Sequence, residues 1–276
     1  MGKIFDGYLL VSDMDGTLLN SKSQLSQESI QAIDYFVENG GTFTIATGRT
    51  LESAGVFIPK LKVGLPVILY NGTKVYDYSK KAVVREGYLE EERKELIKKI
   101  EEVAPHLGIE VFSEEKDYII RSCKYTERLA TPNLEVIRDV TKDLWSKNWT
   151  KILILGDEDE LDELERNFTD ICTEAIPIRS AENFLEVVPN YTSKGIALKK
   201  LIEDFNIDPE KVIAVGDNMN DRELLQAAKY GFCMGNGTKR LLEEAKYIAP
   251  ANDDNAIEYI VKWLEEKIRT NSIIEF

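Results

Sequence analysis

Two aspartates separated by one residue follow a short apolar run near the start of the sequence. The run is Tyr8 to Val11, and Asp13 and Asp15 come just after it in the segment DMDGT. Two carboxylates this close repel each other unless a cation neutralises them or one stays protonated. A hard divalent cation such as Mg2+ takes oxygen ligands of this kind and commonly binds a substrate phosphate as well. The pair therefore points to metal-assisted chemistry on an anion.

Other segments also place polar groups directly after apolar runs. They are Thr47-Gly48-Arg49, Asn71-Gly72 and the segment GDNMND at residues 216–221. Lys194 begins a predicted helix just before the last of these runs. A lysine is mildly unfavourable at a helix N-terminus, but a phosphate bound there would make it favourable. A hydroxyl beside free backbone N–H groups, as at Thr47 and Gly48, also suits an anion.

Each of these residues also has an ordinary structural explanation. An aspartate after a strand is commonly a helix N-cap or a turn residue, and a single lysine is commonly a solvated surface residue. A calcium-binding loop that started at Asp13 would need glycine and glutamate where the sequence has Leu18 and Gln24. A cap or turn role is a weaker explanation here, because a pair of aspartates follows each of two separate apolar runs.

The two ends of the sequence alternate short apolar runs with amphipathic helical patterns, which predicts the elements that position these residues. Strands are predicted in YLLV, TFTIA, PVILYNG, KVIAVGD and YGFCMGN, with helices such as SQESIQAIDYFVENG and SKGIALKKLIEDFNI between them. This order predicts an α/β fold, a doubly wound parallel-sheet, Rossmann-like core. Because ligands bind outside the carboxyl ends of such strands, the polar segments are expected to converge.

The middle of the sequence has a different pattern. Helices are predicted in EEERKELIKKIEEVAPHLG, NLEVIRDVTKDLW and DELDELERNF, and strands in IEVF, DYIIRS, TKILILG, EAIPIRS and NFLEVVP. Adjacent strand pairs favour an α+β domain with a mixed or antiparallel sheet. We therefore predict a core domain of residues 1–81 and 188–276, interrupted by an inserted α+β domain of residues 82–187.

Composition narrows the class of protein. The net charge of −14 disfavours nucleic acid and anionic membranes as partners, so an anionic substrate would need local attraction from a metal or a few cations. No apolar run is long enough to span a membrane. The cysteines, Cys123, Cys172 and Cys233, are widely spaced and odd in number, which favours a reduced, cytoplasmic protein. His106, the only histidine, is expected on the surface.

Taken together, the polar segments resemble the motifs of the haloacid dehalogenase superfamily of phosphatases. DMDGT resembles the nucleophile motif, ATGR the threonine motif, SKG the lysine motif and GDNMND the acidic motif, in the family's order. YNG and the position of the insertion resemble the Cof-like branch, so the inserted domain would be its cap. The resemblance covers almost the whole chain. Asn255 stands where relatives often have glycine, which affects only the shape of that loop.

The resemblance implies a role for each motif residue. Asp13 would attack phosphorus, while Asp15 would protonate the leaving alkoxide and then activate water. Mg2+ would be held by Asp13, the backbone carbonyl of Asp15 and Asp217. The residues implied to bind the phosphoryl oxygens are Met14, Thr47, Gly48, Lys194 and Asn220. Those implied to support the metal or to touch the substrate are Asp221, Arg49, Asn71 and Gly72.

The implied activity is Mg2+-dependent hydrolysis of small phosphomonoesters through an aspartyl phosphate. The expected partner is a small phosphorylated metabolite, either a sugar phosphate or a phosphorylated cofactor such as pyridoxal phosphate or flavin mononucleotide. A phosphomutase shares the same core chemistry and is one alternative. A phosphoacceptor signalling domain is another, but the chain length, the insertion and Asp15 favour turnover over storage of the phosphoryl group.

Overall fold

The computed structural model describes residues 3–126, 134–171 and 177–274. Its strands are β1 (Leu9–Ser12), β2 (Thr42–Ile45), β3 (Val67–Leu69), β4 (Lys74–Asp77), β5 (Ala82–Glu86), β6 (Gly108–Ser113), β7 (Lys116–Arg121), β8 (Glu135–Ile137), β9 (Lys151–Leu155), β10 (Ile178–Ala181), β11 (Phe184–Val187), β12 (Val212–Gly216), β13 (Tyr230–Cys233) and β14 (Tyr247–Ile248). Its helices are α1 (Gln27–Glu38), α2 (Leu51–Gly55), α3 (Glu91–Val103), α4 (Glu158–Arg166), α5 (Phe168–Ile171), α6 (Lys194–Asp204), α7 (Arg222–Ala227), α8 (Lys239–Glu244) and α9 (Ala256–Ile274). Of the helices described, none is both long enough and apolar enough to cross a membrane.

The core is a parallel sheet with the strand order β14-β13-β12-β1-β2. In the central pairs, Leu9 lies opposite Val212 on one side and Thr42 on the other. Every pairing in this sheet is parallel, which confirms the predicted doubly wound core. The carboxyl ends of its strands therefore lie at one edge, where the polar segments were expected to meet.

Helices cover both faces of this sheet because successive strand residues point to opposite sides. Leu10 packs in one apolar cluster with Ile33 of α1 and Ile260 of α9. Leu9 packs in the other cluster with Leu198 of α6. The central strands β1 and β12 consequently consist mostly of apolar residues, which is typical of strands buried on both faces of a sheet.

The third predicted strand joins the core sheet only weakly. β3 follows β2 through a single parallel bridge between Ala46 and Ile68, and it pairs antiparallel with β4, which pairs antiparallel with β5. Residues 82–86 thus continue a small sheet that begins with β3. We propose that the inserted domain starts after this strand, near Gly87, and that it ends near residue 187.

The inserted domain is built on a mixed sheet with the order β10-β11-β9-β6-β7-β8. The β7–β8 pair is parallel and the others are antiparallel. One face of the sheet carries α3 and α4, where Ile97 and Leu161 pack with Ile152 and Ile154. The opposite face carries Leu153 and Leu155, which belong to the apolar cluster of the core. The inserted sheet is therefore covered by its own helices on one face, and its other face packs against the core.

One predicted helix is wrong. The segment NLEVIRDVTKDLW forms the short strand β8 and a 3-10 turn at Lys142–Ser146. Its apolar spacing fits a helix equally well, but Val136 and Ile137 are β-branched and suit a strand. β8 pairs beside β7, where Lys116 and Glu135 form an ion pair of 2.9 Å. Pairing across the sheet edge therefore overrides the local pattern.

Cys172 and parts of two predicted segments cannot be compared with the structure. Asn133, Cys172 and residues 174–176 of the predicted segments lie outside the described residues. Cys123 and Cys233 are free thiols. His106 is exposed beside Glu160 at 3.2 Å, as expected for a surface histidine.

Candidate active site

Asp13 and Lys194 meet at the carboxyl edge of the core sheet. Asp13 follows β1 directly, and its backbone N–H donates to the carbonyl of Val215 on β12 at 2.9 Å. Lys194 is the first residue of α6, and its Nζ donates to Asp13 Oδ1 and to Asp221 Oδ1, each at 2.6 Å. All three side chains are buried. Lys194 is therefore not a solvated surface lysine but a buried cation held between two strand ends.

The loop after β12 is organised around the Asp221 carboxylate. Asp221 Oδ2 accepts hydrogen bonds from the backbone N–H groups of Asp217, at 3.0 Å, and Asn218, at 3.2 Å. The Thr17 hydroxyl donates to Asp217 Oδ1 at 3.1 Å. Gly16 lies beside the Asp217 carboxylate, and it has a φ of 72°. A side chain at this position would collide with Asp217. The close contact with Asp217 explains the glycine in DMDGT. The two backbone hydrogen bonds to Asp221 show that this residue orients the loop that carries Asp217.

Burial and mutual repulsion raise the pKa values of the acidic groups. The pKa of the Asp13 carboxyl lies well above its usual range because the group is buried and faces Asp221, although Lys194 opposes the shift. The pKa of Asp217 is raised to about 7 by burial and by the charge of Asp221. Burial alone would lower the pKa of the Lys194 ammonium, but Asp13 and Asp221 hold it above its ordinary value. The pocket thus holds more negative charge than its lysine balances.

This imbalance predicts a specific pH dependence of stability. The folded protein keeps a proton on Asp217 up to about pH 7, whereas the unfolded chain loses it near the ordinary carboxyl pKa. The native state then binds more protons between these values, so stability falls as pH rises through this interval. We expect the metal-free unfolding temperature to decrease from about pH 5 to about pH 7, with a smaller decrease in Asp217→Asn. Thermal melts in chelator test this, and identical slopes in the two proteins would refute it.

The same cluster offers a set of ligands for a metal. Carboxylate oxygens of Asp13, Asp217 and Asp221 all lie within 4.8 Å of one another. Three carboxylates against one lysine leave an excess of negative charge that a divalent cation would balance. Hard cations such as Mg2+ prefer oxygen ligands of this type. The residues present therefore fit a hard divalent metal.

Asp15 lies at the opening of the site and is paired with Arg49. Arg49 Nε donates to Asp15 Oδ2 at 2.7 Å, and a terminal nitrogen of the guanidinium donates to Oδ1 at 2.6 Å. The guanidinium carbon also lies 4.9 Å from the centre of the Phe57 ring. The Asp15 side chain is 55% exposed, in contrast to buried Asp13. The two aspartates of DMDGT therefore occupy different environments, one beneath the site and one at its opening.

The segments after β2 and β3 lie beside each other. The Thr47 hydroxyl accepts from the backbone N–H of Arg49 at 3.1 Å, and Gly48 lies against the side chain of Asn71. Asn220 Nδ2 donates to Asn71 Oδ1 at 3.1 Å. Gly72 has a φ of 101° and packs against the backbone of Ser193, where a side chain would collide. The structure thus brings together the strand-end segments that the sequence identifies, with Met14 buried beneath them.

A cleft of about 570 Å³ lies between this edge and the inserted domain. Asp13, Asp15, Arg49 and Asp217 line it from the core. The residues that line it from the inserted domain are Phe112, Leu134, Lys151, Leu153, Ser180, Ala181, Phe184 and Glu186. The inserted domain therefore covers the carboxyl ends of the core strands.

Sequence reasoning missed Lys151, Glu186 and Thr17. Residues of the inserted strands alternate between the two faces of their sheet, so Lys151 shares a face with Leu153, and Glu186 shares one with Phe184. These are charged residues within otherwise apolar strands, which is the signal that could have identified them. Thr17 lies within DMDGT itself, next to the residues that the sequence identifies.

Comparisons with known proteins agree with this arrangement. Residues 10–261 match the family model for haloacid dehalogenase-like hydrolases. A putative phosphatase of Streptococcus pyogenes serotype M6 is 27% identical over 93% of this chain and 98% of its own length. The 5-amino-6-(5-phospho-D-ribitylamino)uracil phosphatase YitU of Bacillus subtilis is 22% identical over 92% of this chain and 96% of its own.

A solved structure has the same fold. The crystal structure of a haloacid dehalogenase-like hydrolase from Bacteroides thetaiotaomicron superposes with a TM-score of 0.77 at 25% identity, over 93% of this chain and 99% of that one. The match of the family model to nearly the whole chain confirms the resemblance that the motifs indicate. The chain therefore belongs to the haloacid dehalogenase-like hydrolases and is a phosphatase of their Cof-like type.

Proposed function

We propose that this phosphatase hydrolyses small phosphomonoesters through an aspartyl phosphate on Asp13, with Mg2+ as its cofactor. The observation that carries the proposal is the environment of the Asp13 carboxylate. It lines the cleft, it is held at 2.6 Å by Lys194, and it lies next to the carboxylates of Asp217 and Asp221. A carboxylate held in this way is positioned to act as a nucleophile.

Mg2+ would be held by Asp13, Asp217 and the backbone carbonyl of Asp15. When bound, the metal supplies charge neutralisation and polarises a phosphoryl oxygen. Asp221 supports the site from behind, because both of its oxygens already accept hydrogen bonds from Lys194 and from the loop backbone. The oxygen-only ligand set favours Mg2+ over softer metals.

In the first step, a carboxylate oxygen of Asp13 attacks phosphorus and the bond from phosphorus to the leaving oxygen breaks. Asp15 gives a proton to the leaving alkoxide. Its exposed position at the opening of the cleft suits a group that meets the leaving group rather than the phosphoryl oxygens. The Arg49 pair fixes the direction of the Asp15 carboxyl, and it must loosen when Asp15 carries the proton.

In the second step, Asp15 takes a proton from water, and the water oxygen attacks phosphorus. The bond between phosphorus and the Asp13 oxygen then breaks, which releases inorganic phosphate and regenerates the carboxylate. Residues proposed to hold the phosphoryl oxygens in both steps are Lys194, Thr47, Gly48, Asn220 and the backbone of Met14. Lys194 also favours the ionised form of Asp13, against the burial and the Asp221 charge that raise the pKa of this carboxyl.

The size of the cleft supports a small substrate. A volume of about 570 Å³ falls within the usual range for small-molecule sites. The inserted domain covers the strand ends and would exclude water and large leaving groups. The Bacillus subtilis relative named for a phosphorylated ribityl compound is consistent with a phosphomonoester of this size. We propose a sugar phosphate or a phosphorylated cofactor as the substrate.

We also propose that the enzyme acts on metabolites in the cytoplasm and not on nucleic acid. The net charge of −14 disfavours association with a polyanion. The free thiols of Cys123 and Cys233 are compatible with a reducing compartment.

A metal-dependence assay tests the proposed function. Release of inorganic phosphate from a panel of phosphomonoesters should fall on chelation and return with Mg2+. Ca2+ should support less than about a tenth of the Mg2+ rate because its larger and looser coordination shell misplaces the attacking oxygen. Net phosphate release also separates hydrolysis from transfer by a mutase or storage by a signalling domain. Full activity in excess chelator would contradict the metal assignment.

A further inference from the structure

Lys151 and Glu186 form an ion pair on the face of the inserted sheet that looks into the cleft. Lys151 Nζ lies 3.1 Å from Glu186 Oε2, and their side chains are 6% and 5% exposed. Both residues line the cleft. Replacing a buried ion pair with apolar residues is often neutral or stabilising. Stability alone therefore gives little reason for a charged pair at this position.

Glu186 already accepts most of the hydrogen bonds that its carboxylate can take. Ser180 Oγ donates to Oε1 at 2.7 Å, and Asn71 Nδ2 donates to Oε2 at 2.9 Å. With Lys151 this makes three bonds, and a carboxylate offers about four acceptor positions. Glu186 therefore retains capacity for about one further donor, such as a hydroxyl of a bound molecule.

The cations of the cleft are already neutralised. Among the lining residues that the structure describes, the cations are Arg49 and Lys151, and they pair with Asp15 and Glu186 respectively. A second anionic group on a substrate would have to displace Glu186 from Lys151. That exchange would leave the Glu186 carboxylate buried without its charge partner, which is costly. A hydroxyl group of a substrate could bind to Glu186 without displacing it from Lys151, so its binding would avoid this cost.

We propose that Glu186 is a specificity-determining residue of this phosphatase. By occupying Lys151, it selects phosphomonoesters whose leaving group is uncharged and bears hydroxyl groups, and it rejects those that carry a second anionic group. The inference rests on the proposed function and names the substrate class within it.

Two six-carbon substrates make the test. Sorbitol 6-phosphate and 6-phosphogluconate differ only in a hydroxymethyl or a carboxylate group at the far end. The wild-type kcat/KM should favour sorbitol 6-phosphate by about tenfold or more, as expected for an unpaired buried charge. Glu186→Gln keeps an oxygen acceptor but frees Lys151, so the preference should fall by about tenfold through improved use of 6-phosphogluconate.

Two further variants identify the cause. Adding Lys151→Gln to Glu186→Gln should cancel the improvement with 6-phosphogluconate, since the freed cation is then absent. Glu114→Gln changes an exposed glutamate of the same domain that pairs with Lys147, and it should leave the preference unchanged. Circular dichroism checks that each variant is folded. A gain of activity in Glu186→Gln also cannot arise from unfolding.

Hydrolysis of p-nitrophenyl phosphate distinguishes a failure of the proposed phosphatase function from a failure of the inference about Glu186. If wild-type protein with Mg2+ hydrolyses neither this ester nor any other phosphomonoester, the proposed function fails and the inference falls with it. If it hydrolyses the aryl ester, the two six-carbon compounds are compared by kcat/KM or, where turnover is slow, by their inhibition constants. Equal wild-type values, or an unchanged preference in Glu186→Gln, would overturn the inference alone.

Discussion

Asp13→Asn should lower kcat by at least about a thousandfold with every phosphomonoester, because an amide oxygen is a poor nucleophile. The fold should survive the change. The pKa of the Asp13 carboxyl is raised by burial and by Asp221, so the ionised group costs stability and a neutral amide relieves that cost. The unfolding temperature of the metal-free variant should therefore be no lower than that of the wild type.

Asp34→Asn provides the matched control. Asp34 is a partly exposed aspartate that pairs with Lys62 at 3.3 Å, and its replacement should leave kcat unchanged. Steady-state rates and thermal melts of both variants complete the comparison. Residual activity of Asp13→Asn above about 1% of the wild type, once deamidation back to aspartate is excluded by mass spectrometry, would be incompatible with a covalent role for Asp13.

Asp15→Asn should separate the two chemical steps. An aryl leaving group needs little protonation, so p-nitrophenyl phosphate should still phosphorylate Asp13. Hydrolysis of the intermediate needs Asp15 as a base and should slow by about a hundredfold or more. We therefore expect a burst of about one p-nitrophenolate per enzyme, followed by slow turnover. With alkyl phosphates, both steps should be slow and no burst should be seen.

Stopped-flow absorbance measures the burst directly. Asp6→Asn, at an exposed aspartate outside the cleft, should keep the wild-type progress curve. A linear progress curve for Asp15→Asn at wild-type rate would show that this residue does not activate water.

The core could be predicted from the sequence because its determinants are local. Strands such as Leu9–Ser12 end directly at polar motif residues, and the intervening helices carry ordinary caps. Ser26, for example, accepts from the backbone N–H of Ser29 at 3.1 Å at the start of α1. Parallel strands then bring their carboxyl ends to one edge by topology alone. The convergence of Asp13, Lys194 and Asp221 follows from these elements.

The inserted domain was harder to predict because its determinants are distant in sequence. β8 is a strand only because β7 offers it an edge to pair with, and its own apolar spacing suits a helix as well. Lys151 and Glu186 meet because β9 and β11 are neighbours in the sheet. A charged residue within an apolar strand marks each of the two as unusual, but no local sequence pattern shows that the two strands are neighbours or that these residues face the cleft.

The central claim is that Asp13 carries the phosphoryl group, and trapping that intermediate tests it most directly. Asp15→Asn is mixed with p-nitrophenyl phosphate and Mg2+, quenched in acid at the end of the burst, and digested for peptide mass spectrometry. We predict one phosphoryl group on the peptide that contains Asp13, removable by hydroxylamine as expected for an acyl phosphate. A quenched enzyme that released its burst of p-nitrophenolate without a phosphoryl group on Asp13, or with the group on another residue, would contradict the account.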